Sequence, residues 1–292
     1  MIPPLVSFIA WNRMGLTARN LAALLHTEDD FQLHIIDNNS MDDSWDYIND
    51  LKDPRILSRT KLAVNQGPIH AVNYTLSKRQ KDQFFITVDN DVNIHTSHWV
   101  SSFLDTFRAF PNLGLLGAVS KEYYSRYRLP LLIQEMDGAC YLQAQRGFVE
   151  GCCQCLRPEL LELLGYWSEE NCMGDVEICH RITRYTPYKM GFIPGIEIDQ
   201  QQSVSCEDCC GRSRCSLYGK PKNCFDIHRE KYNNPQFRNK YGWKYDNNIQ
   251  EMEKGSRGIF CASVHDEDSL KGHNHNRQSA EENFRFYREH AN

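Results

Sequence analysis

Two aspartates one residue apart, Asp89 and Asp91 in FFITVDNDVNIH (84–95), close a run that is otherwise largely apolar. Carboxylates are hard oxygen donors, and Mg²⁺ or Mn²⁺ is commonly held by one or two of them together with substrate phosphates. Aspartates at i and i+2 where a buried strand ends can converge on one cation if the chain turns there. Such a cation neutralises charge on a diphosphate leaving group. Taken alone, the pair fits the start of a polar turn just as well. A second chemistry-bearing cluster is SCEDCCGRSRCSLYGKPKNCFDIH (205–228). Its C-x-x-C spacing suits two thiolates on one tetrahedral zinc, with two later ligands closing the site. The ligand set expected is Cys206, Cys209, Cys215 and Cys224, with Cys210 or His228 as alternates. Unligated reduced thiols, disulfides and an iron–sulfur cluster are the competing readings.

The elements that must position these residues alternate in type. LVSFIA (5–10), LHIID (33–37), RILSR (55–59) and FFITVD (84–89) read as strands, and TARNLAALLH (17–26), HAVNYTLSK (70–78) and HWVSSFLDTFRAF (98–110) carry apolar residues at helical spacing. That alternation predicts an α/β fold with a mostly parallel, doubly wound sheet, an αβα sandwich whose ligands sit at the carboxyl ends of the strands. WNR (11–13), DNNSMDDS (37–44) and DND (89–91) all follow strand ends, which predicts one shared site. Further on come a strand at 113–120, a Cys-rich turn GCCQCL (151–156), helices at 157–165 and 174–185, and a strand pair within 188–199. The thiols of GCCQC are expected to serve packing. After Gln202 aliphatic residues thin out, and SAEENFRFYREH (279–290) reads as a final helix.

The blocks IIDNNSMDDS, NQGPIHAVNYTL, FITVDNDV, and VEGCCQCLRPELLELLGYW through GDVEICHRI occur in this order. Together they resemble family 2 glycosyltransferases of the GT-A fold, and especially the rhamnosyltransferase-like branch. The resemblance spans roughly residues 4–200. It implies that Ala10, Trp11, Asn12 and Arg13 border the nucleotide, that Asp37 contacts the nucleobase from a loop shared with Asn39 and Ser40, and that Asn65 and Gly67 lie along the donor. It implies Asp89, Asn90 and Asp91 as the metal-and-donor segment. It also implies Asp175 as the general base that takes the proton of an acceptor hydroxyl in a single displacement. Read without the family, Asp37 belongs to a loop of turn formers, and Asp175 is equally an acid at a helix start.

Two departures stand out. Gly174 occupies the place of the glutamate that usually precedes the base, so either that role is lost or Glu177 takes it over; Glu177 otherwise reads as a surface or supporting helix residue. The histidine that often follows the next strand is replaced by IDQQQ (198–202), which leaves His265 in SVHDEDS as the candidate late metal ligand.

The chain of 292 residues is 41% hydrophobic and 24% charged, with a net charge of −5, so global charge gives no signal for nucleic acid. No apolar run approaches the roughly 18 residues of a membrane span, which leaves peripheral membrane association open. MIPPLVSFIAWNR lacks a basic leader and a cleavage site; a cytoplasmic protein with reduced cysteines is expected. Residues 1–202 are expected to form the glycosyltransferase core (1–112 the nucleotide half, 113–202 the acceptor half), and 203–292 a Cys-rich, basic extension. Between 205 and 246 nine basic residues face five acidic ones, a surface that is either simply solvated or suited to an anionic acceptor. The function expected is metal-dependent, inverting transfer of a hexose or deoxyhexose. The donor is a nucleotide-diphosphate sugar, UDP-linked by preference, and the acceptor a saccharide or other hydroxyl. The cofactor is Mn²⁺ or Mg²⁺, with a structural Zn²⁺ beside it. The alternatives are a nucleotidyltransferase and a non-catalytic nucleotide-sugar or partner-binding protein.

Overall fold

The structure is a computed structural model that describes residues 2–126, 130–200, 213 and 217–291. Four strands open the chain: β1 (Leu5–Ala10), β2 (Gln32–Asp37), β3 (Ile56–Lys61) and β4 (Phe85–Asp89). After the short β5 (Val92–Ile94) come β6 (Leu113–Gly117), β7 (Leu131–Met136), β8 (Ala139–Ala144), β9 (Cys153–Leu156), β10 (Lys189–Phe192) and β11 (Ile198–Gln200). Nine of them form one sheet in the order β3-β2-β1-β4-β9-β6-β10-β8-β7. The pairings make β8 and β9 run against the other seven, so the sheet is mostly parallel, as the alternation predicts. Side chains of β1, β4 and β6 are buried almost throughout, as a sheet covered by crossover helices requires.

Helices α1 (Met14–Leu25), α2 (Ser44–Asp50), α3 (Pro68–Leu76) and α4 (Trp99–Ala109) provide the crossovers. Next come the short α5 (Lys121–Arg126), α6 (Pro158–Leu164) and α7 (Gly174–Tyr185). Pro68 at the first turn of α3 follows Gly67 at φ 90°, which fixes where the helix starts. Two expectations change. The segment expected as a Cys-rich turn is the central strand β9, with Cys153 and Cys155 fully buried; cysteine behaves there as a small apolar residue, and four residues are too few to show a period. The strand pair expected in 188–199 is two strands of different sheets, because β11 pairs with β5 rather than with β10.

The C-terminal part is helical: α8 (Cys224–Asn233), α9 (Pro235–Glu253), α10 (Glu267–Gly272) and α11 (Arg277–His290). It docks on the sheet-bearing part through polar and apolar contacts. Arg257 makes a two-pronged pair with Glu170, at 3.0 and 2.8 Å. Leu217, Ile227 and Ala291 pack with Trp11, Met41 and Cys224. Among the described residues no helix is long and apolar enough to cross a membrane.

Candidate active site

Register builds the site. Parallel pairing sets Ala10 beside Asp37 and Ile9 beside Asp89, so the loops after β1, β2 and β4 leave the sheet side by side. The first of them is bent by Asn12 and Arg13, both left-handed at φ 54° and 59°, which is costly for residues with a Cβ. Hydrogen bonds hold that bend. The Asn12 amide donates to Ser40 Oγ (2.7 Å), Met41 N–H donates to Asn12 Oδ1 (2.8 Å), and Asn90 Nδ2 donates to Asn12 O (3.2 Å) and Thr17 Oγ1 (2.9 Å). Asn90 is therefore a buried tie between two loops, and its carboxylate neighbours flank it. Arg13 completes the knot, with Nη2 donating to Asn90 Oδ1 (2.9 Å) and Nη1 lying 3.3 Å from Asp91 Oδ2.

Asp37 is fully buried. One oxygen accepts from Ser40 N–H (2.6 Å), across the turn in which Asn39 adopts φ 65°; the other is buried with no partner. Burial raises its pKa, against the lowering effect of Ser40 and Lys61. In the next loop Asn65 Oδ1 accepts from Gly67 N–H (2.8 Å). A Cβ at Gly67 would stand 2.3 Å from the Tyr287 ring, so α11 presses directly on this loop.

A cavity of about 400 Å³ opens beside Asp89, and Asp175, Glu150, Gln154, Trp167 and Met173 contribute to its lining. Asp175 sits in the first turn of α7, where the helix dipole favours an acid. It accepts from Gly151 N–H (2.8 Å), yet burial pushes its carboxyl up to about 6, with Glu150 adding to the rise. Burial also raises Asp89, and the nearby charges of Asp91 and Asp175 raise it further, while Arg13 opposes them. Glu150 is raised by burial and then by Asp91, and its Oε2 accepts from Gln200 Nε2 (3.2 Å). Antiparallel pairing of β11 with β5 brings Gln200 opposite Val92, next to the aspartate pair. The structure thus gathers Asp89, Asp91, Asp175 and Arg13 in one place.

Glu150 was not anticipated. Its signal in the sequence was only that an acid precedes GCC, and nothing local says that β9 runs back beside β4. Glu177, expected at a surface or in support, is fully buried in an ion pair with Arg181, whose Nη2 donates to its Oε2 (2.8 Å). That face of α7 is covered by residues 259–261, since Arg181 also donates to Ile259 O (3.1 Å). Glu177 is committed to that pair. His265 lies against α3, its ring 4.3 Å from that of His70 and 5.3 Å from that of Tyr74, and not among the charged groups that surround Asp89. Cys206, Cys209, Cys210 and Cys215 fall outside the described residues, as does the His228 side chain. Cys224 lies at the site's rim, its Sγ 3.9 Å from Asn12 Nδ2. Among the described residues no group of three or more His, Cys, Asp or Glu is arranged to hold a metal ion.

Strand order, the reversed strand between β4 and β6, and an aspartate pair at the end of β4 define a GT-A glycosyltransferase fold. Residues 6–165 match the profile of Glycosyl transferase family 2, more than half of the chain, and the protein belongs to that family. Among solved structures it is similar to the mannosyltransferase PcManGT from Pyrobaculum calidifontis, in complex with GDP-Man and Mn²⁺. That match has 16% identity and a TM-score of 0.51, over 66% of this chain and 55% of that one. It is also similar to S. aureus TarS in complex with UDP-GlcNAc, at 13% identity and a TM-score of 0.52, over 70% of this chain and 60% of that one. The alignments thus span little more than half the length of these proteins, and at such identities they speak for the fold. No curated protein sequence matches the chain.

Proposed function

We propose that the protein is a metal-dependent, inverting glycosyltransferase that moves a sugar from a nucleotide-diphosphate sugar to an acceptor hydroxyl. The observation that carries this reading is a cavity at the carboxyl edge of the sheet lined by Asp89 and Asp175, with Asp91 near enough to Asp89 for its charge to raise that carboxyl. The donor set suits Mn²⁺ or Mg²⁺: the oxygens are hard, two carboxylates crowd each other, and Arg13, at 3.3 Å from Asp91, offsets part of their charge. With no third protein ligand in place among the described residues, the ion would be shared with the donor's phosphates. Held by Asp89 and Asp91, it would offset the charge that gathers on the departing diphosphate.

The protein's own groups divide the remaining work. Asp37, with one buried oxygen unpartnered, accepts a hydrogen bond from the nucleobase, and Trp11, Asn39, Asn65 and Gly67 border the nucleotide. Asp175, ionised above about pH 6, takes the proton of the acceptor hydroxyl as that oxygen bonds to the anomeric carbon. The bond from the anomeric carbon to the diphosphate oxygen breaks on the opposite face, and the nucleoside diphosphate leaves. PcManGT and TarS are complexed with GDP-Man and UDP-GlcNAc, which makes both nucleotides reasonable first probes. Thermal-shift measurements across UDP- and GDP-sugars, with and without Mn²⁺, test the reading. A metal-dependent rise in melting temperature with at least one donor is expected, and no shift with any donor would remove it.

A further inference from the structure

Within the cavity beside Asp89, one residue breaks the rule of its surroundings. Strand β9 reads CQCL, and every side chain in it is buried, including Gln154 at 0% exposure. Gln154 Nε2 donates to Val149 O (2.7 Å), but its Oε1 is buried without a partner, although the residue lines the cavity. An unpaired buried acceptor costs stability. The fold uses the Nε2 of Gln154 on Val149 O, but nothing among the described residues uses its Oε1, whereas a ligand that donates to it would.

The rest of the lining has the same polarity. Glu150 faces the cavity with one oxygen held by Gln200, and Asp89 and Asp175 face it too, so its charged groups are all acceptors once ionised. No lysine, arginine or histidine is among the described lining residues. Ile69, Phe148, Trp167 and Met173 supply apolar surface. Hydrogen-bond acceptors next to apolar and aromatic walls match a ring with hydroxyl hydrogens at its rim and C–H bonds on its faces.

We propose that this cavity holds the transferred sugar, that Gln154 Oε1 and Glu150 accept hydrogen bonds from its ring hydroxyls, and that the pocket therefore takes a neutral hexose and turns away an acidic one. The proposal rests on the transferase reading above and names the sugar class that its donor carries. Both residues are specificity groups that touch the sugar, separate from the aspartates that meet metal and diphosphate.

Calorimetric titration in Mn²⁺ tests it, with UDP-glucose and GDP-mannose each measured against its bare diphosphate. In Gln154→Leu and Glu150→Gln the ratio of the two dissociation constants should shift at least about ten-fold against the sugar nucleotide, while binding of the bare diphosphate stays within about two-fold. UDP-glucuronate should bind wild type at least about ten-fold more weakly than UDP-glucose. Should Gln154→Leu fail to fold, Glu150→Gln gives the binding readout that decides the proposal. Unchanged ratios in folded variants, as trapped water at Gln154 would produce, or equal binding of UDP-glucuronate, overturn this proposal alone. Wild type that binds neither diphosphate removes the transferase reading, and this proposal with it.

Discussion

Replacing Asp175 by asparagine should make the protein more stable and far less active. The carboxyl is pushed up to about 6 from an ordinary 3.8, chiefly by burial. The difference of 6 − 3.8 = 2.2 in pKa corresponds to about 3 kcal/mol at 1.36 kcal/mol per unit. Because the folded-state value is raised, the folded protein holds this proton more tightly than the unfolded chain does. Ionised Asp175 therefore penalises folding in full above about pH 6, and the penalty fades as pH falls from there toward 3.8. Asparagine carries no such penalty, and its Oδ1 can still accept from Gly151 N–H, the bond that Asp175 makes at 2.8 Å. Urea unfolding of both proteins between pH 4 and 8 should show the variant ahead by up to about 3 kcal/mol at pH 8 and by little at pH 4. Turnover should drop by about 10²- to 10⁴-fold, the usual share of a general base. A variant less stable than wild type at pH 8, or a stability difference that ignores pH, would refute the burial argument.

Three other perturbations read different parts of the account. Glu177→Gln leaves Arg181 charged and buried, so unfolding free energy should fall by about 3–5 kcal/mol, and a loss below about 1 kcal/mol would show that the pair is not sealed from water. Gly67→Ala must adopt φ 90° with ψ 168° and meet the Tyr287 ring; it should cost about 1–3 kcal/mol for the backbone plus a steric part. Adding Tyr287→Ala should recover only the steric part, and a double mutant with no recovery contradicts the contact. His265→Ala should leave the Mn²⁺ dependence of nucleotide binding unchanged, and a weakened metal response would place that histidine at the site after all.

The clustering of the strand-end loops was legible because its signals are local. An apolar run ending in Asp-x-Asp and another ending in DNN each announce a strand whose last residue is polar, and parallel register alone brings Ala10, Asp37 and Asp89 together. What stayed hidden depends on pairing between distant segments. GCCQCL gives no period from which to read a reversed strand between β4 and β6, so neither Glu150 nor the orphaned oxygen of Gln154 could be placed. Glu177 looked like one acid on an ordinary amphipathic helix, because its burial is imposed by residues 259–261, more than 80 positions away. Sequence offers His265 only as a histidine in place of the one that IDQQQ lacks; in the fold it packs against α3, where His70 and Tyr74 offer ring edges. The thinning of aliphatic residues after Gln202 gives no sign of how that part packs. The C-terminal helices do add to the fold, through Arg257 with Glu170 and Tyr287 on Gly67.

The central claim is that Asp89 and Asp91 support metal-dependent cleavage of a nucleotide sugar between the sugar and the diphosphate. The direct measurement is mass spectrometry of the products formed from UDP-glucose and GDP-mannose with Mn²⁺, by wild type and by Asp89→Asn and Asp91→Asn. The account predicts nucleoside diphosphate and released or transferred hexose from wild type, abolished by a chelator and by either substitution. Pyrophosphate among the products, or equal turnover with Asp89→Asn and Asp91→Asn, would contradict it.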